Sequence, residues 1–279
     1  MRPDRVALKA EARAAMRGRR PSVYLVSFGL LALNYVISSL MLRLQLPGFR
    51  TDDLARVPVQ TAEQLQQVYA AIFQRMLTAM EHRNLVSWLL TVALLIFSVM
   101  LAVGFTSYCL QAARRQEAGF SQLFDGFGNL LRILALSVLR AFLIFLWSLP
   151  AVAAYVLMLL SVMNVTEVDT LLAALSLPLL GLGIVLGFIA HYRYSMAVYV
   201  LLDAPDKGPM RCLRDSSAMT RGHKGDLLFL DLSLLGWRII SQLPFVSIYT
   251  RPYTEIVWAN FYRTLSGQMD PPEHVDIVV

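Results

Sequence analysis

The chain has 279 residues, 57% of them hydrophobic and 16% charged, with a mean hydropathy of +0.55 and a net charge of +6. A soluble domain is about 45–50% apolar and about 25% charged. The apolar excess excludes a soluble enzyme, a disordered tail and a collagen-like chain, and leaves a polytopic membrane protein.

Residues 1–20 hold seven basic side chains, and Leu8, Ala12, Ala15 and Met16 share one helical face beside Arg5, Lys9, Arg13 and Arg17. The pattern predicts a basic cytoplasmic amphipathic helix over 1–20. It reads as a segment that binds anionic headgroups or as a bare topology signal. The first uncharged run, 21–42, is 22 residues long. A signal peptide has an apolar core of only about 7–15 residues, so this run reads as an uncleaved spanning anchor. Thr61 and Gln64 then form a capping-box pattern, with Leu65, Val68, Tyr69, Ile72, Phe73, Met76, Leu77 and Met80 at helical spacing. An extracytoplasmic amphipathic helix over 61–83 follows from that spacing.

The second span, 84–113, is 30 uncharged residues long and must tilt or protrude into the cytoplasm. Further uncharged runs predict spans at 141–163 and 170–190, kinked at Pro150 and Pro178. Arg140, just before the first of these, is expected to snorkel to the inner interface. Gly183 and Gly187 form a G-x-x-x-G pair that serves close packing within the chain or between copies. Residues 191–225 read as a cytoplasmic segment in which Gly208-Pro209 opens a helix and Gly222 closes it. Spans at 226–243 and 246–266 and a tail at 267–279 complete the single membrane domain, 21–266. Orientation follows from Lys and Arg in the short flanking segments: seven in residues 1–20 and six between His191 and Asp226. Both termini are therefore expected in the cytoplasm.

Ionisable residues at membrane depth are candidates for function by default. Asp231 and Arg238 are seven apart on one helical face, too far to pair directly, so each calls for a partner elsewhere. Arg251 and Glu255 are four apart and can pair. The four read either as a polar path for an ion or proton, or as a network that fixes helix register. Arg211, Arg214, Arg221, His223 and Lys224 read as a headgroup-binding collar or as a positive-inside anchor. The four histidines lie in no ligand motif, and no phosphate loop, nucleophile elbow or carboxylate pair is present. Cys109 and Cys212 lie in different compartments on this topology and read as small apolar side chains. No catalytic residue, metal site, cofactor or nucleic-acid partner is expected.

The stretch from Tyr192 onward reads YRYSMAVYVLLDAPDKG, then CLRDSSAMTRGHKGDLLFLDLSLLGW, then RPYTEIVWANFYRTL. It resembles the bacterial integral-membrane proteins grouped as domain-of-unknown-function family 975. The matching residues are Tyr194 to Ala197, Asp203, Ser216, Gly222 to Lys224, Leu232-Ser233, Gly236-Trp237, Pro252-Tyr253 and Phe261-Tyr262. The LFDGF of residues 123–127 and the basic N-terminus around Lys9 are also similar to the family. Two features depart from it. An added apolar stretch and hairpin follow Leu149-Pro150-Ala151, and Leu243-Pro244-Phe245 stands where relatives tend to carry a glycine-containing break. The resemblance implies a class and a bacterial cytoplasmic membrane, but no reaction.

The sequence thus predicts an all-α bundle of about six membrane helices with amphipathic interfacial helices. Two functional readings stand. The first is a non-enzymatic envelope protein that binds lipid, anionic lipid above all, or a membrane partner such as a second copy. The alternative is a small transporter or export component with a polar intramembrane site.

Overall fold

The computed structural model describes residues 5–18, 21–45, 74, 84–162 and 169–268, and these are all-helical with no strand. The predicted helix over 61–83, apart from Gln74, and all but the first two residues of the tail lie outside the described residues. In chain order the helices are α1 (Arg5–Met16), α2 (Val23–Gln45), α3 (Leu85–Ala113), α4 (Leu130–Trp147), α5 (Leu149–Val162) and α6 (Asp169–Arg193). They continue with α7 (Ala197–Asp203), α8 (Pro209–Met219), α9 (Lys224–Ile240) and α10 (Pro244–Leu265). A 3-10 segment, Phe120–Asn129, precedes α4. Four stretches are long and apolar enough to cross a membrane: Val23–Leu44, Leu85–Ala113, Phe120–Trp147 and Ala174–Asp203. Helices stand where the fifth and sixth spans were predicted, but neither α9 nor α10 is among those four.

The third predicted span begins too late. An uncharged-run rule stops at Arg140, whereas α4 starts at Leu130 and carries Arg132 and Arg140 within it. Arg132 is accommodated at the helix start, where its Nη1 donates to the Pro205 carbonyl and faces Asp206 at 3.7 Å. The rod then breaks at Ser148. Pro150 has no N–H to give to a carbonyl four residues back, and Ser148 caps the end by donating its Oγ to the Ile144 carbonyl at 2.9 Å. Beyond the break α5 turns back through α6, which runs on through Pro178. Of the two readings of the glycine pair, these contacts support packing within the chain: Gly183 and Gly187 face the break. A Cβ on Gly183 would stand 2.1 Å from the Ala151 nitrogen, and one on Gly187 would stand 2.8 Å from Ser148 Oγ.

The segment expected to lie wholly outside the membrane opens instead on a buried helix. Tyr194 to Met196 form a turn, and α7 buries Ala197, Tyr199, Val200 and Leu201. Pro209 then starts α8 at its first position as predicted, and Gly222 takes the left-handed φ of +86° just past its end.

Burial is one-sided along the bundle. In α3 the residues from Met100 to Ala113 are mostly buried, whereas Leu85, Val86, Leu89, Val92 and Leu95 are exposed. The buried end is where α3 and α10 both finish, since Arg263 Nη1 donates to the Ala113 carbonyl at 2.7 Å. We term it the capped end. The 3-10 segment doubles back along α3 there, with backbone against backbone: a Cβ on Gly104 would meet the Leu123 oxygen at 2.0 Å, and one on Gly126 the Met100 oxygen at 3.0 Å. Helix α1 closes the same end. Leu8, Ala12, Ala15 and Met16, the predicted face, are buried against α10 and α3 rather than presented to lipid. Asn260 Nδ2 donates to the Leu8 carbonyl at 3.3 Å, Lys9 Nζ to the Ser233 carbonyl at 3.3 Å, and Arg5 lies over the Phe229 ring. Burial first, then Arg5 and Arg13, hold the Lys9 amine below its ordinary value.

Gly104→Ala is expected to destabilise the protein by about 1–3 kcal/mol, because the added methyl meets backbone that cannot swing away. Gly181→Ala, with nothing within 4 Å, is expected to be neutral or slightly stabilising. Thermal unfolding of the two variants in one detergent checks both.

Candidate functional site

At the capped end the last residue of α7, Asp203, gathers three helix ends. Its Oδ1 faces Arg114 Nη2, just past α3, at 2.5 Å, and its Oδ2 accepts from the Tyr262 hydroxyl of α10 at 2.7 Å. Gln268 Nε2 adds a third donor at 2.9 Å, and its Oε1 accepts from Arg114 at 2.7 Å. The Tyr262 ring stacks on Tyr199 with centroids 5.3 Å apart. Helix α8 is tied in from the other side, as Ser216 Oγ and Thr220 Oγ1 donate to the Arg193 carbonyl at 2.9 and 3.3 Å. These side chains form a latch in which one carboxylate is met by three donors.

The four polar residues predicted at membrane depth do not behave as their spacing suggested. Asp231 and Arg238 pair directly: Arg238 Nη2 lies 2.7 Å from Oδ1 and Nη1 donates to Oδ2 at 3.0 Å. Two helical turns rise about 10 Å, but side chains tilt toward the helix N-terminus, so the long arginine at the later position reaches back. The Tyr192 hydroxyl of α6 donates to the same Oδ2 at 3.2 Å, which anchors α9 on α6. Arg251 and Glu255 form no ion pair within 4 Å. Glu255 Oε2 accepts from the Tyr199 hydroxyl at 3.4 Å, whereas Arg251 stands over the Phe105 ring with Cζ 5.9 Å from its centroid. Arg140 is half-buried. It lies within Coulombic range of Tyr199, Glu255 and His191, eight residues or about 12 Å further along α4 than Arg132.

A cavity of about 450 Å³ opens between α2, α9 and α10. Asn34, Tyr35 and Ser38 of α2 line it, with Arg238, Ser241 and Gln242 at the end of α9 and Ser247, Arg251 and Thr254 of α10. No carboxylate is among the described lining residues.

The five headgroup candidates divide. Arg211, Arg214 and Arg221 are exposed along and just after α8, and none has an ion-pair partner among the described residues. Their neighbour Lys207 is neutralised by Asp215 at 2.7 Å. His223 turns to Asp226 at 3.1 Å. Lys224 and Arg221 share a shallow cleft of about 250 Å³ with Arg193, which the sequence did not single out. The two cysteines are not in different compartments. Both are buried at the capped end, Cys109 within Coulombic range of Tyr199 and Cys212 of Tyr262. Burial, then Asp215, pushes the Cys212 thiol up, which keeps it protonated and inert.

The profile of a family described as "Protein of unknown function (DUF975)" matches residues 1–269. The chain belongs to this family. No curated protein and no solved structure matches it. Several of the residues that carried the DUF975 resemblance make contacts between helices. Asp203 and Tyr262 form the latch, Ser216 the tie of α8, and Ser233 offers its carbonyl to Lys9. Trp237 meets Tyr253 edge-on at 5.7 Å, and the LFDGF stretch packs on α3 while its Asp125 accepts from Ser107 at 3.2 Å. The sequence reading missed Arg114 as a partner, Tyr199, and the polar wall of α2. Asn34 and Ser38, one turn apart inside an apolar run, were the available signal for that wall.

Asp203→Ala removes the acceptor of three donors, and a loss of about 2–4 kcal/mol in unfolding free energy is expected. Denaturation in detergent measures it. A loss below about 0.5 kcal/mol would show that the latch holds nothing together.

Proposed function

We propose that this protein is a non-enzymatic, multi-pass protein of the bacterial cytoplasmic membrane whose capped end faces the cytoplasm and holds anionic lipid headgroups. The observation that carries the reading is the contrast on α8. Arg211, Arg214 and Arg221 stand exposed, with no ion-pair partner among the described residues, in a region where Lys207 and Arg114 have carboxylates. The exposed Arg13 of α1 and Arg17 just past it add to the charge of the same end. Juxtamembrane arginine and lysine each gain about 1 kcal/mol near an anionic leaflet, and the same bias orients that end to the cytoplasm.

In this reading α9 and α10 are the fifth and sixth crossings. Helix α10 has 22 residues and α9 has 17, or about 33 and 26 Å of helix. The orientation of the chain ends is separable from that count. Helix α1 and Gln268 lie at the same end, so a reporter fused after Val279 and one fused after Asp206 should both report the cytoplasm. A periplasmic signal from the Val279 fusion would overturn the orientation.

The lipid role is tested by replacing Arg211, Arg214 and Arg221 together with glutamine and weighing co-purified phosphatidylglycerol and cardiolipin by mass spectrometry. Retention should fall several-fold while phosphatidylethanolamine is unchanged, and more salt should narrow the difference. Equal retention by both proteins would remove the lipid role and leave these arginines as topology signals.

A further inference from the structure

We infer that the cleft between the end of α6, the end of α8 and the start of α9 is a binding site for a phosphate group, with Arg193, Arg221 and Lys224 as its cationic ligands. It shares Arg221 with the lipid reading and otherwise stands apart from it, since Arg193, Lys224 and Ser217 are no part of the contrast on which that reading rests.

The fold brings three elements to this place. Arg193 is the last residue of α6, Ser217 lies on α8, Arg221 and Gly222 belong to the turn after it, and Lys224 and Gly225 open α9. Together they line a cleft of about 250 Å³. Its walls are fixed to one another, because Ser216 and Thr220 donate to the Arg193 carbonyl and so tie the end of α8 to the end of α6. The Arg193 guanidinium is held over the Tyr194 ring, with Cζ 5.8 Å from the centroid. Its Nε is buried and has no hydrogen-bond partner among the described residues.

Charge and unspent donors decide the ligand class. Among the described residues none of the three cations has a carboxylate within 4 Å. Asp226, two residues after Lys224, is turned to His223 at 3.1 Å and does not line the cleft. Its charge still offsets one of the three, which leaves two. Three like charges around one cleft repel one another, and an anion set among them turns that repulsion into attraction. The donors are unspent as well. Ser216 and Thr220 give their hydroxyls to a carbonyl, whereas the Ser217 hydroxyl has no acceptor among the described residues. His223 stands at the N-cap of α9 without capping it, so the first amides of that helix, those of Lys224 and Gly225, have no side-chain acceptor. A carboxylate brings one charge to such a site. A phosphate monoester brings about two at neutral pH, with three acceptor oxygens, and answers both the surplus charge and the donors.

The test uses the full-length protein in dodecyl maltoside, washed free of phospholipid and titrated calorimetrically with inorganic phosphate, dihexanoyl phosphatidic acid and acetate. Saturable binding of about one equivalent of phosphate, of the short-chain lipid or of both is expected, with acetate about tenfold weaker or more. Arg221→Gln and Lys224→Gln should each weaken it about fivefold or more, and Arg221→Lys should retain most of it. Ser217→Leu fills the wall without altering charge and should weaken binding too. Arg43→Gln removes the same charge in the last turn of α2 and should leave binding unchanged. Each variant is first checked for an unchanged thermal midpoint, and Arg221→Gln with Ser217→Leu carries the test where Lys224→Gln does not fold. Binding of inorganic phosphate identifies a free phosphate, and binding of the lipid alone identifies a headgroup; either upholds the site. No saturable binding by phosphate or lipid overturns it, as does acetate that binds as tightly. An affinity that Arg221→Gln and Ser217→Leu leave unchanged, or that Arg43→Gln lowers as much, overturns it too. The lipid reading is judged apart: phosphatidylglycerol retention that still depends on the α8 arginines, without saturable phosphate binding, removes this site alone.

Discussion

A carboxylate that ends an apolar helix must be met by donors, because an isolated charge withdrawn from water is far too costly to leave alone. Asp203 is in that position at the end of α7, and its donors come from beyond α3, from α10 and from the residues after α10. Much of the architecture follows from this one requirement. Three helix ends are held at one level, Tyr262 is brought onto Tyr199, and the last turns of α10 meet α1, where Asn260 donates to the Leu8 carbonyl. Helix α1 can then bury its apolar face against α10 and α3, which a free amphipathic helix would have laid on lipid.

Away from that end the helices are packed more sparsely and their apolar side chains are exposed, as on the first part of α3 and on Leu175, Leu177 and Leu182 of α6. Hydrophobic burial gives no drive between helices in a bilayer, where lipid tails are as apolar as leucine. Association there relies on close backbone approach and on hydrogen bonds. Gly104 on Leu123, Gly126 on Met100 and Gly183 on Ala151 supply the first, and Tyr192 on Asp231 supplies the second. These contacts involve residues of ordinary type. Their importance lies in where the chain brings them, which explains why a family resemblance can rest on scattered tyrosines, serines and glycines without any catalytic pattern among them.

What the sequence made legible follows the reach of local rules. The apolar face of α1, the start of α8 at Pro209 and the left-handed Gly222 depend on neighbours within one or two turns, and they stand as read. The start of α4 was misplaced because a rule that counts charges treats Arg140 as a boundary. Nor does such a rule register that Arg132, also inside the helix, is met by the Pro205 carbonyl and Asp206, more than seventy residues away. Arg251 and Glu255 obeyed helical spacing yet did not pair, since Tyr199 and Phe105 from other helices intervene. Asp231 and Arg238 were judged by the rise of the helix alone, and the backward tilt of side chains shortens that gap. Tertiary partners decided the candidate site, and spacing along one helix does not reveal them.

The cations of this protein separate by what solvates them. Arg114, Lys207 and Arg238 have carboxylates, and Arg132 has a carbonyl and a carboxylate nearby. Arg211, Arg214 and Arg221 have no ion-pair partner among the described residues but are exposed on or just after α8, where solvation completes their shells at little cost. Arg251 shares features of both groups: it is exposed, and the Glu255 carboxylate one turn away offsets its charge although the two make no direct ion pair within 4 Å. A neutral hydroxyl bonds a carboxylate without cancelling its charge, so Glu255 serves Tyr199 as a hydrogen-bond acceptor and Arg251 as a counter-charge at once.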